Sequence, residues 1–317
     1  MLSFPLKSEL FCSCLIFNQS LLTSVTMPSI DISGVAHAYD FLPAQTQTDA
    51  PVLVLIHGWL LSRQYWQPIV ENLSQHYPCL CYDLRGFGDS KVNPESHSHE
   101  YTLLSYAHDV KMLLAELGIK RAWLVGHSLG GSIALWAAQC CGEEVEGVIC
   151  LNAGGGVYLK EEFDRFRQAG QKLIKYRPQW LPYLPFINLL FTRVMVAKPL
   201  SLGWGRQRVI DFVKADAVAA VGLLLESTTE AEVHRLPQLV SQLQQPVYFV
   251  AGDQDMIMEP KYVGHLASFH HLFQCQGNNM IEIANCGHMS MIEQPERVTM
   301  ILKEILSSLG DKTSPSS

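Results

Sequence analysis

The stretch RAWLVGHSLGGSIALWAAQCC (Arg121–Cys141) changes character part-way along. Ala122–Val125 is an unbroken apolar run, the pattern of a strand covered on both faces. Leu129–Cys141 is rich in helix formers. Between them GHSLG leaves no room for a loop, so strand must pass into helix through one sharp turn. Gly126 and Gly130 lack the side chains that would collide there. Ser128 is thereby forced into a strained backbone conformation with its hydroxyl projecting above the sheet. The helix beginning at Leu129 adds free N–H groups and a positive dipole end beneath that hydroxyl. GxSxG alone is a weak signal; the strand before it and the helix after it make it informative.

Outward from this junction the chain alternates strands and helices. Ile30–Phe41 reads as a hairpin turning at Ser33-Gly34. Pro51–His57, Pro78–Leu84, Glu146–Asn152, Pro246–Gly252 and Met280–Cys286 read as further buried strands. Helices are expected at Tyr65–His76, Tyr101–Leu117, Leu129–Cys141 and Glu296–Leu309. Strands and helices in this rhythm form a mostly parallel, doubly wound α/β sheet. The rhythm stops between Asn152 and about Leu236, where only helical patterns and turn residues occur. The expected organisation is a core of residues 27–152 and 237–310, a helical cap of 153–236 inserted into it, a poorly ordered extension of 1–26 and a frayed tail of 311–317. Lys7 before the apolar run Leu10–Phe17 superficially resembles a signal peptide, but Glu9 and the shortness of the run argue against one.

At 317 residues, 48% hydrophobic and 17% charged, the chain has the composition of a folded enzyme-sized domain. A net charge of −7 gives no electrostatic case for nucleic acid. Nine cysteines, an odd number lying mostly in apolar runs, suit buried thiols in a reducing, cytoplasmic setting rather than a disulfide framework. No metal-ligand spacing occurs, and neither GFG (Gly86–Gly88) nor GGG (Gly154–Gly156) has the arrangement of a phosphate cradle, so neither metal nor cofactor is expected.

Five motifs occur in an order that resembles the α/β-hydrolase fold superfamily: HGW (His57–Trp59), DLRGFGDS (Asp83–Ser90), GHSLGG (Gly126–Gly131), GDQD (Gly252–Asp255) and NCGHM (Asn285–Met289). The resemblance spans about Ile30 to Leu309. It implies Ser128 as nucleophile and His288 as its base. GDQD offers two carboxylates, Asp253 and Asp255; the resemblance makes the second the acid and leaves the first as a turn residue. Some members carry the acid after the strand that follows the elbow helix, and that position here is the neutral Asn152. The resemblance further implies an oxyanion hole from the backbone N–H groups of Trp59 and Leu129, and structural roles for His57 and Arg85. The side chain of His127 is expected to point away from Ser128.

A serine nucleophile favours attack on a carbonyl: an ester, thioester or lactone, or the C–C bond of a diketone. The uncharged run PQWLPYLPFINLLFT (Pro178–Thr192) suggests a greasy lid, so the leading expectation is a carboxylic ester with a sizeable hydrophobic part, such as a phytyl ester of the kind cleaved by chlorophyll dephytylases and pheophytinases. Trp59, His127, Trp180, Tyr183 and Phe186 are the expected pocket residues, with peripheral membrane contact through the cap. The alternatives are a C–C bond hydrolase or menaquinone-pathway synthase-like lyase on the same triad, and a receptor-like hydrolase that binds a small ligand.

Overall fold

The computed structural model describes residues 28–92, 100–154, 160–275 and 279–310. The extension of 1–26, the tail of 311–317 and part of the glycine-rich entry to the cap lie outside these residues.

Eight strands form one sheet: β1 (Ser29–Ile32), β2 (Val35–Leu42), β3 (Val52–Ile56), β4 (Cys79–Tyr82), β5 (Ala122–His127), β6 (Val145–Leu151), β7 (Val247–Gly252) and β8 (Met280–Ile283). Their spatial order is β1-β2-β4-β3-β5-β6-β7-β8, with the hairpin antiparallel to its neighbours and every other pairing parallel. The central strands are buried along their whole length, as their near-continuous apolar runs require. Helices α1 (Gln67–Leu73), α2 (Leu103–Glu116) and α3 (Leu129–Cys141) follow β3, β4 and β5. After β6 come α4 (Lys160–Lys175), α5 (Ile187–Phe191), α6 (Leu202–Lys214), α7 (Ala217–Ser227) and α8 (Glu230–Gln242), with no strand among the described residues. Helices α9 (Pro260–Ala267) and α10 (His271–Cys275) precede β8, and α11 (Ser290–Glu293) and α12 (Pro295–Gly310) close the chain.

The core lies on both faces of the sheet. One face packs β3–β7 against α2, α3 and α9 through residues such as Ile56, Leu124, Ile133 and Phe249. The other packs Leu55, Val125 and Val250 against α1 and α12 through Ile69, Val298 and Leu302. Two sequence expectations shift. Strand β8 ends at Ile283 rather than running to Cys286, because Asn285 takes a left-handed φ of +54° and turns the chain off the sheet towards His288. Helix α8 runs through the expected boundary between residues 236 and 237, and packs on α3 and α9 of the core. Cys79, Cys81, Cys141, Cys150 and Cys286 are buried free thiols, and burial raises their pKa, to about 12 for Cys79, Cys141 and Cys286. They are poor nucleophiles there.

One buried ion cluster joins the loops at the top of the sheet. The Asp83 carboxylate accepts from the backbone N–H groups of Arg63 (2.6 Å) and Asp89 (2.8 Å) and from the Arg63 guanidinium. Arg63 also donates to Asp40 and Asp89, both at 2.9 Å, and Lys214 of α6 pairs with Asp89. Burial disfavours the Arg63 charge, but Asp83 and its companions outweigh it and raise the guanidinium pKa. The Asp83→Ala variant leaves Arg63 short of its main partner, so a loss of roughly 3–5 kcal/mol is expected. Chemical denaturation of both proteins measures it, and a shift below about 1 kcal/mol would mean that water replaces the carboxylate without cost.

Candidate active site

The β5–α3 junction is as tight as its sequence demands. A Cβ on Gly126 would strike the backbone of Gly130, and one on Gly130 would strike the carbonyls of Ile56 and His57 at the end of β3. Ser128 sits in that corner with φ +52° and ψ −123°, a conformation L side chains rarely adopt. Its N–H donates to the Leu151 carbonyl (2.9 Å) and its own carbonyl accepts from Gly131 (2.9 Å), so both neighbouring elements hold the strain.

His288 arrives from the far edge of the sheet. Its Nε2 lies 3.0 Å from Ser128 Oγ and its Nδ1 lies 2.8 Å from Asp255 Oδ2. With Nδ1 donating to the carboxylate, Nε2 is left as the acceptor for the serine proton. Asp255 Oδ1 accepts from the backbone N–H groups of Ile257 (2.8 Å) and Met258 (2.9 Å), and Oδ2 accepts a further bond from Asn152 Nδ2 (2.9 Å). Burial pushes the carboxyl pKa up, but the bonds from His288, the backbone and Asn152 prevail and hold it below the usual range. Asp253 is instead exposed at the end of β7 and accepts from the N–H of Cys286 (3.2 Å). It caps the histidine loop rather than its own turn, and does not reach the imidazole.

Residues with no catalytic motif of their own complete the arrangement. Asn152, at φ +48°, spans Asp255 and the Gly287 carbonyl (3.1 Å), so the amide at the alternative acid position ties the acid to the histidine loop. His127 turns beneath the site: its Nε2 donates to the His288 carbonyl (2.7 Å), with the two rings 4.9 Å apart. Glu293 accepts from the N–H groups of Gly287, Met289 and Ala197. The N–H of His288 donates to the Met195 carbonyl (3.0 Å), which comes from the inserted helical segment. Sequence alone carries little signal for Glu293 or Met195, because both act through loops whose paths depend on the whole fold.

The loop after β3 lies against the elbow, since a Cβ on Gly58 would come within 3.2 Å of Ser128 Cβ. Trp59 follows it with its indole N–H donating to the Ala220 carbonyl of α7 (2.9 Å). Leu129 is the first residue of α3, so its N–H has no partner within the helix. His57 is buried beneath: Nδ1 donates to the Gly58 carbonyl (2.8 Å) and Nε2 accepts from Leu84 (2.9 Å), fixing the loop. Arg85 donates to the Glu100 carbonyl and Ser105 and lies 4.9 Å over the Tyr106 ring.

Two expected pocket contributions are corrected. His127 supports the base from below rather than lining a cavity. Trp180, Tyr183 and Phe186 are 59%, 86% and 84% exposed, so they form an outer surface rather than an enclosed wall. The cause is local. Asn188 and Thr192 take the inner side of α5 where it crosses α6 at Gly205, while Leu181 and Phe191 pack inward. The remaining apolar side chains are left outside.

The α/β-hydrolase fold family model matches residues 51–192, which hold the loop after β3, the elbow and the start of the inserted segment. The sheet and its flanking helices are those of the α/β-hydrolase fold. It is 36% identical to RutD of Enterobacter cloacae over 125 residues, 39% of this chain and 45% of RutD. It is 27% identical over 222 residues to the bifunctional esterase/perhydrolase DCH of Acinetobacter calcoaceticus, 66% of this chain and 76% of DCH. The chain thus spans about half the length of several curated relatives that it matches. A thermophilic esterase of Thermogutta terrifontis superposes with a TM-score of 0.68 at 23% identity, over 88% of this chain and 96% of that one. That likeness is one of fold.

Burial lowers the His127 pKa to about 3, while in the unfolded chain imidazole titrates near 6.5. The folded pKa is the lower one, so stability is full above about pH 6.5 and declines as pH falls towards 3, by up to about 1.4 kcal/mol per unit. The His127→Gln variant removes that dependence. Denaturation midpoints of the two proteins are therefore expected to converge, or to cross, between pH 7 and pH 5. A gap that stays constant over that range would contradict a neutral, buried His127.

Proposed function

We propose that the protein is a serine hydrolase cleaving a carboxylic ester with a sizeable hydrophobic part through an acyl-enzyme intermediate. The observation that carries this reading is the continuous relay of 3.0 Å and 2.8 Å from the strained Ser128 hydroxyl through His288 to Asp255. In this reading Ser128 Oγ attacks the ester carbonyl carbon as His288 Nε2 takes the hydroxyl proton. The N–H groups of Trp59 and Leu129 hold the resulting oxyanion. The tetrahedral adduct collapses to the acyl-serine, and His288 gives its proton to the departing alcohol. Water then enters under the same base, and hydrolysis of the acyl-serine restores the hydroxyl and frees the acid. Asp255, kept ionised by its hydrogen bonds, stabilises the imidazolium in both halves.

Kinship with DCH supports ester chemistry. The hydrophobic part of the substrate is supported by the inserted segment, read as a cap over residues 153–236. The Trp59 ring lies against α4 at Gly170, and the apolar α7 holds its indole, so the ground beside the oxyanion donors is apolar. A phytyl-type ester falls within this class, and the exposed aromatics of the cap suit a substrate drawn from a membrane surface.

A fluorophosphonate probe is expected to label Ser128 alone, as read by peptide mass spectrometry; labelling elsewhere overturns the assignment. The Ser128→Ala and His288→Ala variants are expected to lose at least about four orders of magnitude in kcat on p-nitrophenyl esters, and Asp255→Asn about as many, while Asp253→Asn keeps most activity. Along a chain-length series kcat/KM should rise from acetate to long acyl esters. Acetate turned over as fast as the long esters would remove the hydrophobic-substrate reading and leave the triad intact.

A further inference from the structure

Between Arg165 and Ile210 the chain contains nine arginines and lysines and no aspartate or glutamate, in a protein of net charge −7. Six of these cations, Arg165, Lys172, Lys175, Arg193, Lys198 and Arg206, are exposed. Among the described residues none of the six has a carboxylate within 4.0 Å, although Lys175 lies over the Tyr176 ring. The three internal ones are engaged: Arg167 with the Thr228 carbonyl, Arg177 with those of Phe212 and Ala215, and Arg208 with those of Phe191 and Val194.

Among the described residues the same segment carries the densest run of exposed apolar side chains: Tyr176 (71%), Trp180, Tyr183, Phe186, Leu189 (50%) and Leu190 (59%). The run does not wave freely. Arg177 anchors its start, the Gly205 crossing fixes α5, and Arg208 holds its end. Rings and leucines held outward on a braced scaffold expose apolar area that water disfavours, which marks an interaction surface.

We propose that this face docks on an anionic lipid bilayer, with the aromatic and leucine side chains entering the headgroup region and the six cations meeting lipid phosphates. The charge decides the occupant. A second copy placed face to face would bring the same unpaired cations together, a repulsion that a two-fold contact cannot avoid. A bilayer surface rich in phosphate complements them, and tryptophan and tyrosine suit the interfacial depth. No described helix is long and apolar enough to cross a membrane, so attachment is peripheral. The face continues into the site, because Met195 at its end accepts from His288 and Ala197 is held by Glu293. An ester carried by the bilayer would thus be delivered beside the base. The proposal rests on the cap reading of this segment but not on the chemistry of Ser128.

The test uses full-length Ser128→Ala protein, so that binding is measured without turnover, and vesicles of phosphatidylcholine alone or mixed equally with phosphatidylglycerol. Sedimentation is expected with the mixed vesicles only, and to weaken as salt rises. Lys172→Gln, Lys175→Gln and Arg193→Gln together should reduce partitioning about a hundred-fold, from about five-fold for each cation. The same three changes in the wild-type background should leave turnover of a soluble short-chain ester intact. Replacing Trp180, Tyr183 and Phe186 by serine should abolish sedimentation, and brominated lipid should quench fluorescence that Trp180→Phe removes. Absence of binding, indifference to the charge changes, or a dimer that the serine variant dissolves would each overturn the proposal. Failure of the ester assays with binding intact would fault the chemistry alone.

Discussion

The constraint on which the site depends is the contact between Gly126 and Gly130. Strand and helix cross so closely there that any side chain at either position would overlap backbone. The residue between them has no relaxed conformation to adopt, and Ser128 accepts a positive φ that costs on the order of 1–3 kcal/mol. That strain is balanced by the parallel pairing of β5 with β3 and β6, whose ends carry the loops on either side. Moving the hydroxyl would mean separating strands in the middle of the sheet. The nucleophile is therefore fixed by the middle of the sheet, and the other groups are brought to it.

They are brought by backbone more than by side-chain packing. The Asp255 carboxylate is fixed by two N–H groups of its own turn before it meets His288. The imidazole is fixed in turn by bonds to both ends of its peptide: its N–H goes to Met195 and its carbonyl accepts from His127. Burial keeps His127 neutral, so it can support the base without adding a second positive charge beside it. Asn152 joins acid and loop as an amide. A carboxylate at that position would set two anions against one imidazole, whereas the amide donates to the anion already present.

How much of this could be read from sequence follows from which contacts are local. The elbow was legible because strand, glycines, serine and helix are contiguous, and the element order followed from apolar runs that a parallel sheet requires. The pairing of Ser128, His288 and Asp255 was legible only through resemblance, since no periodicity connects residues 160 and 33 positions apart. Glu293 and Met195 gave little signal: Met195 serves through a backbone carbonyl that any residue could present, and the Glu293 carboxylate caps loops whose paths depend on the whole fold. The outward turn of Trp180, Tyr183 and Phe186 went against the expectation of a lined pocket. An uncharged aromatic run states that burial is favourable, but which side is buried is decided by Gly205, some twenty residues later, which admits α5 by the other face.

That reversal bears on how the inserted segment is attached. Its inner side packs on the core through Ala219, Ala220 and Leu223 of α7, and the seam nearest the site adds polar and backbone bonds to that apolar contact. Trp59 donates to Ala220, Ser62 to Asp211, Asp216 to the Gly86 carbonyl, and His288 to Met195. Asp211 is buried there with its pKa raised to about 6, chiefly by desolvation, while the bonds from Gln207 and Ser62 favour its charged form. Such bonds are directional and few, and each can be exchanged for water at modest net cost. Apolar area under α7 thus holds the segment to the core, while the directional bonds set its register over the loop after β3 and the base, and the apolar side chains of the outer face are left to act elsewhere.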